Sequence, residues 1–245
     1  MTITSGLGQQ FYVDGYDLSS ATGSATRIGK SQATFDKPAI SDSGMRRIPG
    51  LRDGTIDFTT YFDDTAILPV LSTLTTSDRY ATWLFGTTLG DVSASVVAKQ
   101  IGYDPTRDQS GDINFTTSMP GNAYGLEWGR AMTAGQRSDT TATNGTGYDW
   151  GAGTTFGMQA YLQVFSFTGT DVTIKLQESQ DDDMGDAYAD VLNFASVTAA
   201  PQAQRVTVTG TVEQWLRVVT STTGGFSECT FAVAVTRNST AAAAI

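Results

Sequence analysis

Gly54-Thr55-Ile56-Asp57-Phe58-Thr59-Thr60-Tyr61-Phe62-Asp63-Asp64 is the stretch on which the fold turns. From Gly54 onward the pattern has period two: Ile56, Phe58 and Phe62, with Thr60 between them, point one way, and Thr55, Asp57, Thr59 and Tyr61 the other. Successive side chains of a strand lie on opposite faces, so this alternation predicts a strand with one buried and one wet face. Asp53-Gly54 in front supplies a turn, and Asp63-Asp64 behind supplies acceptors for the free amides at a helix start. Ile67, Leu71 and Leu74, with Val70 beside them, then recur at three and four residues, a spacing in which Pro69 fits only in the first turn. A short helix lying over a sheet is expected.

Moving outward, the 245 residues suffice for one large β-domain or for two smaller ones, each with its own core. Phe11 to Leu18 reads as a strand broken by an Asp-Gly turn, 25–33 as a weaker polar strand, and 34–49 as a long loop with no period. Strands are expected over 80–85 and 95–101, and over 112–119, where Ile113, Phe115 and Met119 alternate with polar neighbours. Residues 133–147 hold no large apolar side chain, which reads as a linker. The expected organisation is therefore a first domain over 1–135, a linker over 136–147 and a second domain over 148–245. Six short strands between 160 and 237, separated by Gly, Asp or Pro turns, make the second domain a β-sandwich of jelly-roll or immunoglobulin-like type. The fold class is all-β with one short helix. Residues 1–10 look like an arm that orders against a neighbour, and 239–245 form a poly-Ala end.

Charge and composition exclude much. Fifteen Lys and Arg against 25 Asp and Glu leave a net charge of −10, which argues against sustained binding to phosphate backbones. There is no histidine, which removes Ser-His-Asp and Cys-His nucleophilic sites and His-ligated zinc. Ile28-Gly29-Lys30-Ser31 ends like a phosphate loop, but the required first glycine is out of register and no helical period follows. Glu178, Asp181, Asp182, Asp183 and Asp186 could in principle hold calcium, yet their spacing is not that of an EF-hand and reads better as a solvated turn. The lone Cys229 reads as a core residue, as do Trp83, Trp128, Trp150 and Trp215. No catalytic, cofactor or metal site is expected. The first residues lack a basic and apolar leader pattern, and no window approaches the ~18 apolar residues of a membrane span, so a soluble protein made in the cytoplasm is expected.

Gly50-Leu51-Arg52-Asp53-Gly54 closing a basic loop, the Thr-rich strand ending in Phe62-Asp63-Asp64, and Ala66-Ile67-Leu68-Pro69-Val70-Leu71 together resemble the tail tube (major tail) proteins of long-tailed bacteriophages. The resemblance continues through Ala98-Lys99-Gln100-Ile101-Gly102-Tyr103-Asp104-Pro105 and Tyr124-Gly125-Leu126-Glu127-Trp128-Gly129, over the first half to two-thirds of the chain. It implies a structural virion protein, assembled in the host cytoplasm, whose first domain joins its neighbours in a six-fold ring around a lumen barrel. Stacked rings would form the conduit for DNA, which passes without sequence-specific binding. Tape measure and tail terminator proteins are the implied partners, and the second domain would decorate the outside. The alternative is a phage carbohydrate-binding, receptor-binding or decoration protein with the sandwich over 148–238 as its working end. Within 35–53, Met45, Ile48 and Leu51 stand among Arg46, Arg47 and Arg52, a mixture costly on a solvated loop and suited to docking on an acidic neighbour. These six residues are the expected ring-stacking interface.

Overall fold

The computed structural model describes residues 6–65 and 67–240; the first half of the expected N-terminal arm and the end from 241 lie outside these residues. In chain order the elements are β1 (Gln10–Val13), β2 (Tyr16–Asp17), β3 (Thr22–Asp36), β4 (Arg47–Tyr61), α1 (Leu68–Leu71), β5 (Arg79–Leu84), β6 (Val92–Ala98), β7 (Asp104–Arg107), β8 (Ile113–Pro120) and β9 (Glu127–Ala131). There follow β10 (Arg137–Asp139), β11 (Tyr148–Asp149), β12 (Met158–Gly169), β13 (Thr173–Ser179), β14 (Ala189–Asn193), β15 (Gln202–Val208), β16 (Trp215–Ser221) and β17 (Phe226–Arg237). The fold is all-β with one short helix, as expected, and its strands form three open antiparallel sheets, none of which closes into a barrel among the described residues.

The chain divides into two compact units that are not consecutive in sequence. The first comprises the described residues within Met1–Ser20, Tyr80–Ser95 and Trp128–Ile245; the second is Ala21–Arg79 with Val96–Glu127. The expected division into 1–135 and 148–245 is therefore corrected, because β1, β5 and β9 lie in the same nine-stranded sheet as β12, β15 and β17. Nor is 136–147 a linker. Its strand β10 pairs with β17, Arg137 opposite Phe231 and Asp139 opposite Cys229. The buried carboxylate of Asp139 accepts both forks of Arg137 at 2.8 and 2.7 Å and the hydroxyl of Thr220 at 2.7 Å, while Arg137 also reaches the Val218 carbonyl. A stretch without apolar residues is held here by charge-assisted hydrogen bonds, which a composition rule does not see.

In the first unit β12 is paired by β17 along its length and by β15 from Met158 to Val164. Its alternate residues Met158, Ala160, Leu162 and Val164 pack with Phe231, Val233 and Val235 of β17 against Ile174, Leu176, Leu216 and Val218 of the second sheet, ordered β11-β16-β13-β14. This is the sandwich expected for the later part of the chain. Cys229 lies inside it, and burial, with Asp139 adding to the effect, pushes its thiol up to about 12, which leaves it inert at neutral pH. Gln159, Tyr161 and Gln163 on the other face of β12 are buried too. There Gln163 Oε1 accepts the Gly15 N–H at 2.7 Å and its Nε2 donates to the Tyr80 carbonyl at 2.9 Å, fastening β12 to two distant segments. Gly15 is required at this point: it has φ of 80°, and a Cβ would fall 2.3 Å from the Val164 carbonyl. Gln163→Leu strands both backbone groups, and a loss of about 2–4 kcal/mol is expected from the denaturant midpoint.

The second unit is built on the sheet β3-β4-β8-β7. Gly54, Ile56, Phe58 and Thr60 are buried and alternate with half-exposed Thr55, Asp57 and Thr59, as the period predicts. Phe115, Thr117 and Met119 of β8 are buried likewise. Phe62 departs from the prediction: it lies past the end of β4, half exposed, with its ring stacked on Phe115. The helix is a single turn with Pro69 at its start and Ile67, Val70 and Leu71 buried. Asp63 serves it through the backbone: its carbonyl accepts the Leu68 N–H at 2.9 Å, while its carboxylate accepts the N–H and hydroxyl of Thr65 in a local turn, and Ile67 stands at the N-cap without a side-chain bond. The carbonyl end is better served: Arg79 Nη2 donates to Val70 O at 2.6 Å and Gln100 Nε2 to Leu71 O at 2.5 Å.

Candidate self-assembly surface

Strands β3 and β4 are each 15 residues long, so at about 3.3 Å per residue the ribbon they make is roughly 45–50 Å in length. β8 pairs with β4 only from Thr55 to Tyr61. Beyond that point residues 31–36 and 47–53 pair with each other, and among the described residues no third strand joins them. The expected loop over 34–49 is thus strand at both ends, 34–36 and 47–49, and turns at the tip over 37–46. Both faces of the distal ribbon are wet, so its residues carry no hydrophobic period; the alternation begins at Gly54, where the sheet first acquires a covered side.

The tip is closed locally. Lys37 N–H donates to the Arg46 carbonyl, Asp42 N–H to the Ala39 carbonyl, and Ala39 N–H to the Asp42 carboxylate at 2.7 Å. Met45 and Arg46 sit at this end, with Arg46 Nε 3.8 Å from Asp42. Arg47 and Ile48 begin β4 opposite Asp36 and Phe35, and Arg47 Nε is 3.4 Å from the Asp36 carboxylate. Both ion pairs are exposed and loose, so they add little to stability. Arg52 lies half-buried opposite Gln32. Between Gln32 and Thr34 the register shifts, so that Gly50 and Leu51 together face Ala33; a Cβ on Gly50 would meet the Phe35 ring at 2.6 Å, so glycine lets that ring lie across the ribbon.

All six expected interface residues therefore fall on one arm. Leu51 is 85% exposed, Met45 60% and Ile48 48%. Two apolar residues outside that set belong with them: Phe35, more than half exposed, and Ile40, wholly exposed. Between 27 and 52 the cations Arg27, Lys30, Lys37, Arg46, Arg47 and Arg52 stand against Asp36 and Asp42 alone, in a chain of net charge −10. The arm thus shows water several large apolar side chains together with a local excess of positive charge. Arg27 and Lys30 were hidden from the sequence reading because β3 looked like a short polar strand.

The other residues singled out fall elsewhere. The acidic turn after β13 is organised by its own backbone: Asp181 accepts the N–H groups of Met184 and Asp186, Asp186 that of Gln180, and Asp182 the hydroxyl of Tyr188. Those backbone donors hold Asp181 below the usual carboxylate range. Among the described residues no group of three or more acidic or thiol side chains is arranged to hold a metal ion. Of the four tryptophans only Trp83 is buried, against Phe11 and bonded to Gln9; Trp150 and Trp215 are half-buried and Trp128 is exposed.

No family model matches the chain. No curated protein matches it either. Among solved structures it is similar to a chain of the virion of a native gene transfer agent particle, at 13% identity and a TM-score of 0.42, covering 51% of this chain and 98% of that one. It is also similar to the Dit protein of phage SPP1, described as a paradigm of the hub adsorption apparatus in phages infecting Gram-positive hosts. That likeness has 11% identity and a TM-score of 0.36 and covers 93% of this chain and 98% of the other. Likenesses this loose leave the function to be argued from the residues.

Proposed function

We propose that the chain is a structural subunit of the tail of a long-tailed phage, and within it a tail tube protein that self-associates into stacked rings around a channel for DNA. The arm formed by β3 and β4 is the observation that carries this reading. A two-stranded ribbon is marginal in water by itself, and one that also exposes Phe35, Met45, Ile48 and Leu51 gains stability by laying them on another surface. A second copy supplies that surface, since the rest of the chain is acidic enough to attract the arm's cations. The resemblance of 46–74 to tail tube proteins points the same way. In that arrangement the wet face of the β3-β4-β8-β7 sheet suits a channel wall: it carries Asp57 and Asp104 against Arg27, with Thr55 and Ser118 donating to Asp57. Anionic DNA would slide past such a wall without sticking. The role is architectural rather than catalytic, in the virion tail, with tape measure and tail terminator proteins as neighbours.

Negative-stain microscopy of the purified chain tests the reading. Rings and hollow filaments are the expected result. A discrete trimer would favour the receptor-binding alternative, and a monomer that persists at high concentration would sink the tube proposal.

A further inference from the structure

The ribbon of β3 and β4 has its tip over 37–46 and, at the other end, the point where β4 stops at Tyr61. There the Phe62 N–H donates to the Ile113 carbonyl, which holds the half-exposed Phe62 ring beside β8. That ring stacks on Phe115 at 5.9 Å, and the half-buried Tyr103 stacks on the same Phe115 at 4.3 Å. The three rings form one aromatic step whose exposed edge is Phe62.

Carboxylates stand at the same end. Asp63 is near enough to Tyr103 to act on it electrostatically, and Asp64 follows it, exposed. The turn from β7 to β8 adds Asp108 and Asp112, and it lies at this end because Arg107 is paired with Ile113 and Tyr61 with Asn114. The Ser110 hydroxyl and the Asp112 N–H both donate to Asp108 and hold it below the usual carboxylate range, so it stays charged at neutral pH. Across 61–65 and 107–114 these four acids stand against Arg107 alone.

An aromatic step in an acidic rim is the chemical complement of the arm tip, where Ile40, Met45 and Ile48 stand among Lys37, Arg46 and Arg47. Within one subunit the two surfaces lie at opposite ends of 15-residue strands, roughly 45 Å apart, and do not meet. Complementary surfaces at opposite ends of one element join copies head to tail, and such a heterologous contact repeats from copy to copy. We propose that the Phe62 end of the β3-β4-β8-β7 sheet is the socket for the arm tip of a second copy of this chain. Phe62 meets the apolar side chains of the tip, and Asp64 and Asp112 meet Arg46 and Arg47. This rests on the tube reading and adds to it the surface that receives the arm.

The test uses the full chain. Asp64→Lys with Asp112→Lys reverses two exposed carboxylates of the rim. Filament length by negative stain is compared with that of the wild type, of Arg46→Glu with Arg47→Glu, and of all four changes together. Filaments at least about tenfold shorter are expected in each double variant, with most of the length recovered in the fourfold variant, since charges that meet are coupled. Circular dichroism melts check that each chain folds. Met45→Cys with Asp64→Cys is an independent route: a short bis-maleimide added to filaments should give a ladder of linked chains on a denaturing gel. Either cysteine alone should give nothing beyond a dimer, and the native Cys229 is buried and does not react. If the rim variant does not fold, the cysteine pair decides alone. Filaments of normal length in the rim variant would assign the patch to another partner and overturn the proposal. So would a fourfold variant without recovery, or filaments of the cysteine pair that give no ladder; each of these leaves the tube reading standing. A wild type that forms no filaments removes the tube reading and the socket with it.

Discussion

Arg46→Glu combined with Arg47→Glu is expected to yield a subunit that folds and melts as the wild type does but makes no long filaments. The two guanidiniums form only loose, exposed pairs with Asp42 and Asp36, so removing them costs the isolated subunit about 1 kcal/mol or less. Arg47→Glu also places a like charge opposite Asp36, a further few tenths of a kcal/mol confined to the far end of the ribbon. The core of that unit lies at the other end of β4, around Ile56 and Phe58, and is not disturbed. At a stacking contact the arithmetic differs: a loss of about 1–2 kcal/mol per subunit recurs at every position of a ring and is multiplied accordingly. Leu51→Asp is the complementary variant, since Leu51 is exposed in the bulge and its replacement tests the apolar component without breaking an ion pair. Melting by circular dichroism and filament length by negative stain are the two readouts. Filaments of normal length in both variants would remove the arm from assembly, and loss of the folded state would make it part of a core.

Truncation after Gly147 is the second large effect, and its expected outcome is collapse of the first unit, not a free-standing first domain. The missing segment contains β12, β15 and β17, one side of the nine-stranded sheet, and all of β11, β13, β14 and β16. Of the large apolar core only Met132 would remain. β9 would lose its partner β17, leaving an open edge that invites aggregation, and Tyr12, Leu84 and Ala131 would lose their packing on Ala232. Such a loss far exceeds the roughly 5–15 kcal/mol by which a domain is stable. The truncated chain should be recovered as aggregate, with a far-ultraviolet strand signal no larger than the second unit accounts for. A soluble, sheet-rich product with a sharp melt would show that the early strands fold without the later ones.

The contrast between these two outcomes reflects what the sequence can convey. Strands β4 and β8 were legible wherever one face is buried and the other wet, because burial alone writes period two into a strand. Cys229 was legible as core for a related reason, lying among Phe231 and Val233. The pairing of β9 with β17, by contrast, joins residues about a hundred positions apart, and no local pattern reports it. Arg137 and Asp139 misled for a chemical reason: polar residues that saturate one another look, in composition, like polar residues that face water. The assembly surface shows both sides of this. Met45, Ile48 and Leu51 could be read as unusual exposed residues, while the ribbon that presents them could not, since a strand wet on both faces has no period to detect.

The continuity of β4 from the packed sheet to the tip of the arm also has a mechanical side. The same backbone contributes Ile56 and Phe58 to a core and Ile48 and Leu51 to the free end, without a hinge between them. A pull on the tip along the ribbon is therefore delivered as shear to the ladder that pairs β3 with β4 from Thr22 and Thr60 out to Asp36 and Arg47, loading many hydrogen bonds at once instead of peeling them singly. Under such a pull the arm would act as a tie rod anchored in the body of its own subunit. In a tube of such subunits, axial tension would run from ring to ring through covalent backbone, and the weakest links would be the side-chain contacts at the tips.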